Sequence, residues 1–298
     1  MDGLCITRLK VAALAAVCLA TTACGSGGGS STAPTDSSAP PTVPTATTTA
    51  GVWKGTVMST TTGQSMPLIA LIQADGHSGW MAADGRVWSG RVPMSGASVS
   101  TTMIGHIYGG STFPDGSNHG HASLTLEHHA TGTMSGRYAG SGDDGNFDMH
   151  LSPMWNRPAS LDAVAGVYTR STSSGYTMTL TVGANGQLSG SDSRNCIFNG
   201  TIDVPDAMHN LYHVDATLNS CGPLDGHYRG MGTLLDADAM QDWMTAMHPL
   251  EHGTSSHGGS MMHGSHGSGH NTVPTGRRNL FVFCMANEQG AIMDALAR

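Results

Sequence analysis

The sequence predicts an all-β protein: two tandem small antiparallel meander domains, barrel or sandwich in form and lipocalin-like, behind a disordered N-terminal tether. Three observations carry that expectation. Gly makes up 41 of 298 residues and charged residues only 11%, against roughly 25% in ordinary soluble domains; such a balance suits turns and short strands better than long helices. Short alternating apolar segments are separated by turn signals, among them Asp75-Gly76, Pro114-Asp115-Gly116, Gly142-Asp143-Asp144-Gly145 and Ala184-Asn185-Gly186, and strands so spaced argue a sandwich or barrel. The pattern also starts twice, at Gly51-Val52-Trp53 and at Gly166-Val167-Tyr168.

In the first domain (51–155) the segments read as strands are 55–58, 67–73, 79–81, 87–92, 98–107, 122–127, 132–138 and 145–151. In the second (164–298) they are 167–170, 176–182, 187–191, 196–204, 211–219, 226–235 and 280–285, with an insertion over 236–279. Tyr176, Met178, Leu180 and Val182 alternate strictly and fall on one face. Folding 196–204 back on 211–218 about the turn at 205–210 brings Cys196 close to Cys221. Three Cys remain beyond residue 24, and in an oxidising compartment this geometry selects the Cys196–Cys221 pair. Cys284 lies in the apolar run Leu280–Met285 and reads as a buried, inert thiol, with soft metal ligation as the lesser alternative.

The N-terminus carries a targeting signal. Arg8 and Lys10 precede the apolar run Val11–Ala20, which is too short to span a membrane, and residues 1–23 read as a signal peptide. Thr21-Thr22-Ala23-Cys24-Gly25 resembles a bacterial lipoprotein signal. The resemblance implies lipidation of Cys24, a membrane contact through that lipid anchor and, with Gly rather than Asp at 25, an outer-membrane address. Thr21 stands where such signals usually have Leu, and cleavage after Ala23 to give a soluble periplasmic or secreted protein is the alternative. Residues 24–50, rich in Gly, Ser, Thr and Pro, cannot bury enough surface to fold and read as a tether.

A second resemblance covers residues 150–235 best. Gly186, Leu188-Ser189-Gly190, Asp192, Cys196, Phe198 and Gly200, then Asn210-Leu211-Tyr212-His213-Val214 and Cys221, are similar to a pattern in uncharacterised proteobacterial outer-membrane lipoproteins with tandem small β-domains. The joint Trp155-Asn156-Arg157-Pro158-Ala159-Ser160-Leu161 resembles the phrase linking their halves. The resemblance implies a small meander barrel per half and no known activity.

Other residues bear on function. A net charge of -8 without a Lys/Arg cluster gives no reason to expect nucleic-acid binding, and no nucleophile–base pattern suggests an enzyme. Asp143-Asp144 reads as a hairpin turn. His128-His129 point to opposite faces if extended. His119-Gly120-His121 would share a face, though its position after Pro114–Ser117 suggests a loop edge. Trp80 and Trp88 read as core, with a ligand pocket as the lesser alternative. Asp236–Met247 has Met240, Trp243, Met244 and Met247 at helical spacing. The most conspicuous segment follows it: His257, His263, His266 and His270, with His248 and His252 nearby and Met261-Met262 between them. Imidazoles and thioethers could take Cu, Zn or Ni, but irregular spacing with Gly and Ser encodes no fixed geometry, so a plain loop stays the other reading. The expectation is therefore an envelope lipoprotein with a structural or binding role, its protein partner unknown and no cofactor required. Metal binding by the His/Met loop, or lipocalin-like carriage of a small apolar ligand, are the alternatives.

Overall fold

The computed structural model describes residues 48–94, 98–107, 112–129, 131–172, 175–236 and 279–298. They form two closed eight-stranded antiparallel barrels in tandem. The first comprises β1 (Gly51–Ser59), β2 (Ser65–Ile72), β3 (His77–Ala82), β4 (Arg86–Arg91), β5 (Ser98–Ile107), β6 (His119–His129), β7 (Thr133–Gly140) and β8 (Asp143–Leu151). Each strand pairs with the next, and β8 returns to β1 through seven residue pairs from Trp53↔Leu151 to Ser59↔Gly145. The second comprises β9 (Gly166–Ser171), β10 (Thr177–Val182), β11 (Gln187–Asp192), β12 (Ile197–Asp203), β13 (Tyr212–Asn219), β14 (Gly226–Asp236), β15 (Asn279–Ala286) and β16 (Ala291–Ala297). Here β16 meets β9 through the single pair Ala297↔Thr169. Side chains reinforce that closure: Arg170 on β9 donates to the buried carboxylate of Asp294 on β16 at 2.5 Å. Arg298 donates to the carbonyls of Ala163 and Ala165.

Alternation along each strand sends one set of side chains inward. Trp53, Leu68, Trp80, Met103, Leu126 and Phe147 belong to the core of the first barrel, and Tyr168, Leu180, Phe198, Tyr212, Phe281 and Phe283 to that of the second. A third apolar cluster joins the outer faces of the two barrels: Val52, Ile69, Leu71, Met81 and Val87 pack with Leu235, Val282, Cys284, Met293 and Ala295. This is why β2, β15 and β16 are apolar on both faces. Their inward residues fill a barrel and their outward residues fill the seam.

The repetition seen in the sequence extends to hydrogen bonds. Trp53 Nε1 donates to Thr49 O at 2.9 Å and Tyr168 Oη to Val164 O at 2.7 Å, each reaching back four residues. Gly76 and Gly186 have φ of 89° and 79° in the β2–β3 and β10–β11 turns, and a Cβ at either would collide with a carbonyl oxygen, that of Val92 or of Ile202. Only glycine meets both demands. Aligning the turns places Arg86 opposite Cys196. Cys196 is disulfide-bonded to Cys221, with Cα atoms 4.4 Å apart; Arg86 is held by ion pairs to Asp84 and Asp143. One barrel tightens this end covalently, the other electrostatically.

The joint is ordered at every step. Ser152 Oγ accepts from Met154 N at the start of a 3-10 turn (Pro153–Asn156), and Ser160 Oγ caps α1 (Leu161–Val164) by accepting from Ala163 N at 3.0 Å. Trp155 stacks on His209 with ring centroids 4.0 Å apart, and Arg157 makes a two-pronged bond to the Asp236 carboxylate.

Three sequence expectations need correction. Ala291–Ala297 is the eighth strand of the second barrel, where no strand was expected. β14 runs through Asp236 and β15 opens at Asn279, so both end residues of the expected insertion 236–279 belong to strands; 237–247 lies outside the described residues. Asp143 is not a turn residue: Ser141 and Gly142, both with positive φ, make the turn, and Asp143 opens β8 as a buried residue.

Candidate functional site: the cleft between the barrels

Beside the apolar seam the barrels diverge, leaving a cleft of about 720 Å³ lined by residues of both. Its floor includes Gly79, Met231, Cys284 and Met285, and its walls carry charge. On the first barrel, the β2–β3 turn presents Asp75, whose Oδ2 lies 2.7 Å from His77 Nδ1. Arg91, at the end of β4, donates through Nε to the carbonyl of Asp75 at 3.1 Å, and its Nη2 lies 3.7 Å from the carboxylate. On the second barrel, Asp215 of β13 lies opposite Arg229 of β14 in register. Arg229 Nε donates to Asp215 Oδ2 at 3.1 Å, and His227 Nε2 lies 2.6 Å from Oδ1. Each barrel thus contributes an Asp–Arg pair to the cleft lining, with His77 in the lining beside the first and His227 bonded to the second from outside it. Asp203 and His213, paired across β12 and β13, complete the wall.

Two of the carboxyls, Asp75 and Asp215, are shifted in the same direction. Partial burial pushes Asp75 upward, but hydrogen bonds and charge from His77, then Arg91, outweigh it and hold the carboxyl below its usual range. Burial likewise opposes, and His227 and Arg229 overcome, at Asp215. The thiol on the floor goes the other way: complete burial pushes Cys284 up to about 12, so it stays protonated at neutral pH and is a poor nucleophile. The cleft can therefore offer fixed anionic and cationic groups above an apolar floor.

No family model, curated protein or solved structure matches this chain. What the chain does must be argued from its own geometry.

The other sequence candidates divide into three groups. Cys24, His257, His263, His266 and His270 lie outside the described residues. The Cys196–Cys221 disulfide is present, and Cys284 is free and buried. The remaining residues have defined places in the first barrel. Trp80 is core, meeting Phe147 edge-to-face at 5.4 Å. Trp88 is half-buried beneath the Arg86 guanidinium at 5.4 Å. The space among Trp80, Trp88, Met103, Leu124 and Phe147 is about 30 Å³, on the order of one water, so the interior there is filled by its own side chains. His128 turns inward to meet Trp53 edge-on at 5.6 Å while its neighbour His129 is exposed, as extended geometry requires. His119 opens β6 where the preceding loop ends and His121 lies two residues into the strand, and both are exposed on its outer face.

Sequence reasoning missed the cleft. Asp75-Gly76 was read only as a turn, although an Asp two residues before His is also a short-range pair. Asp215, His227 and Arg229 meet only because β13 and β14 pair in one particular register, which no local pattern announces.

Proposed function

We propose that this protein is a non-catalytic binding module of the cell envelope, tethered to the outer membrane through lipidated Cys24, with its ligand in the cleft between the barrels. The observation that carries this reading is the cleft itself. It falls within the roughly 300–1,000 Å³ range of ligand sites, lies where two domains meet, and combines an apolar floor with charged walls from both sides. Asp75 beside Arg91 on one wall, and Asp203 and Asp215 with Arg229 on the other, give a mixed pattern that suits a ligand carrying both charges beside an apolar group, such as a short peptide segment.

Two measurements test the reading. In cells fed radiolabelled palmitate, the wild-type chain takes up label and Cys24→Ser does not; equal labelling would overturn the anchor. For the cleft, synthetic hexapeptides pairing one apolar residue with acidic and basic neighbours are titrated into isotope-labelled protein. Amide shifts should concentrate at His77, Arg91, His213 and Arg229 and weaken at least tenfold in Arg91→Glu/Arg229→Glu. Absent shifts, or shifts scattered over both barrels, would sink the assignment.

A further inference from the structure

On the outer face of the first barrel, β5 and β6 pair so that His106 stands directly opposite His119. The two rings lie nearly parallel, 26° apart, with centroids separated by 6.4 Å. His106 is 2% exposed, and neither of its ring nitrogens has a hydrogen-bond partner among the described residues. Buried polar atoms without partners are rare in folded proteins and call for an explanation. His119 is exposed at the surface beside it. A buried, unpartnered imidazole with a second imidazole as its cross-strand neighbour is a half-built coordination shell.

We propose that His106 and His119 form a two-imidazole site for a late first-row divalent ion, Cu²⁺ before Ni²⁺ or Zn²⁺. The geometry suits this use. Two imidazoles sharing an ion at about 2.0–2.1 Å from each nitrogen place their ring centroids on the order of 5–6 Å apart, close to the separation found; imidazole ligates through an in-plane lone pair, so binding requires the exposed His119 ring to turn until a nitrogen points at the ion held by His106. Strand pairing fixes the spacing of the two Cβ atoms, so little ordering is needed on binding. The order of preference follows the stability series for nitrogen ligands. Water would complete the shell, since no group of three His, Cys, Asp or Glu converges for a metal among the described residues. This site shares no residue with the cleft lining or with the His-rich segment.

The test uses the full chain with the His-rich segment silenced by His248, His252, His257, His263, His266 and His270→Ser, titrated with CuCl₂ against a weak competing chelator. One ion per chain should bind. Adding His119→Ala should weaken binding at least tenfold and remove one imidazole nitrogen from the copper electron-spin resonance pattern, while adding His121→Ala should change affinity less than twofold. Because His106 is buried, His106→Gln is compared only if its circular dichroism matches the parent, and it should lose binding as His119→Ala does. Absence of binding in the silenced chain, or unchanged affinity in His119→Ala, would overturn the site. Equal losses in His119→Ala and His121→Ala would instead assign the ion to the exposed pair on β6.

Discussion

Asp143 gathers three side-chain donors inside the first barrel. Its carboxylate accepts from Ser59 Oγ at 2.6 Å, from Tyr138 Oη at 2.8 Å and from the buried Arg86 guanidinium. Tyr138, buried and donating to that carboxylate, is pushed up to about 12 and stays a donor throughout the physiological range. Removing the carboxylate charge leaves Arg86 buried with one partner fewer, and breaking such a pair costs about 3–5 kcal/mol. Asp143→Asn should therefore lower the urea midpoint substantially, with Asp144→Asn as the exposed control near zero. The position was readable in principle. Phe147, Met149 and Leu151 alternate inward, and stepping back by two gives Gly145 and then Asp143. The Gly-Asp-Asp-Gly string hides this because both Asp residues fit a turn equally well; only the positive φ of Ser141 and Gly142 shifts the turn two residues earlier.

At the scale of elements, the strand that escaped in the sequence is β16, whereas β2 and β15, also buried on both faces, were legible as continuous apolar runs. Ala-Ile-Met-Asp-Ala-Leu-Ala is rich in helix formers, does not alternate, and carries an Asp in its middle, yet it is β16. Its inward residues meet the second core, its outward Met293 and Ala295 fill the seam, and Asp294 is neutralised by Arg170. By contrast Thr177–Val182, with one face to water, was plain from alternation alone. The seam gives a sharp test. Val282 is fully buried between the barrels, and Val282→Asp would place an unpaired charge there, at a cost of several kcal/mol. Calorimetry should show the unfolding of the two barrels separating into distinct transitions. The disulfide offers a second test. It closes a separation of 25 residues, so Cys196→Ser/Cys221→Ser should lose roughly 3 kcal/mol in the loop-entropy picture, read as a lower midpoint in the second transition.

For the whole molecule, the two tandem barrels could be read from the repeated Gly-Val-aromatic starts and the spacing of turns. The cleft could not, because its walls come from residues as distant as Asp75 and Arg229 and depend on how outward faces meet. Acid stability belongs to this scale, since several groups act with the same sign. Burial, with smaller contributions from His119, His129 and Lys54, holds His106, His128 and His150 below the ordinary imidazole value. The unfolded chain therefore takes up protons first as pH falls through about 6.5, and stability declines. The carboxyls of Asp143, Asp75 and Asp215 are also depressed; their contribution is complete above the ordinary carboxylate value of about 4 and is lost as pH falls through their folded-state values. Urea midpoints should thus fall in two stages, a first decline between about pH 7 and 5.5 and a second below about pH 4. A midpoint that holds steady down to pH 5 would contradict the histidine contribution.

The placement of Cys284 gives the molecule a clock. Its sulfur sits in the seam against Gly79, closely enough that a Cβ on that glycine would strike it, and it is the sole free thiol among the described residues. At 3% exposure on the cleft floor it offers a maleimide little surface in the closed molecule, and labelling speeds up when the two barrels come apart or the second barrel opens. With Cys24 replaced by Ser, the rate of labelling under native conditions would time that opening directly, and any ligand that bridges the barrels would register as a slowing of that rate, even before its identity is known.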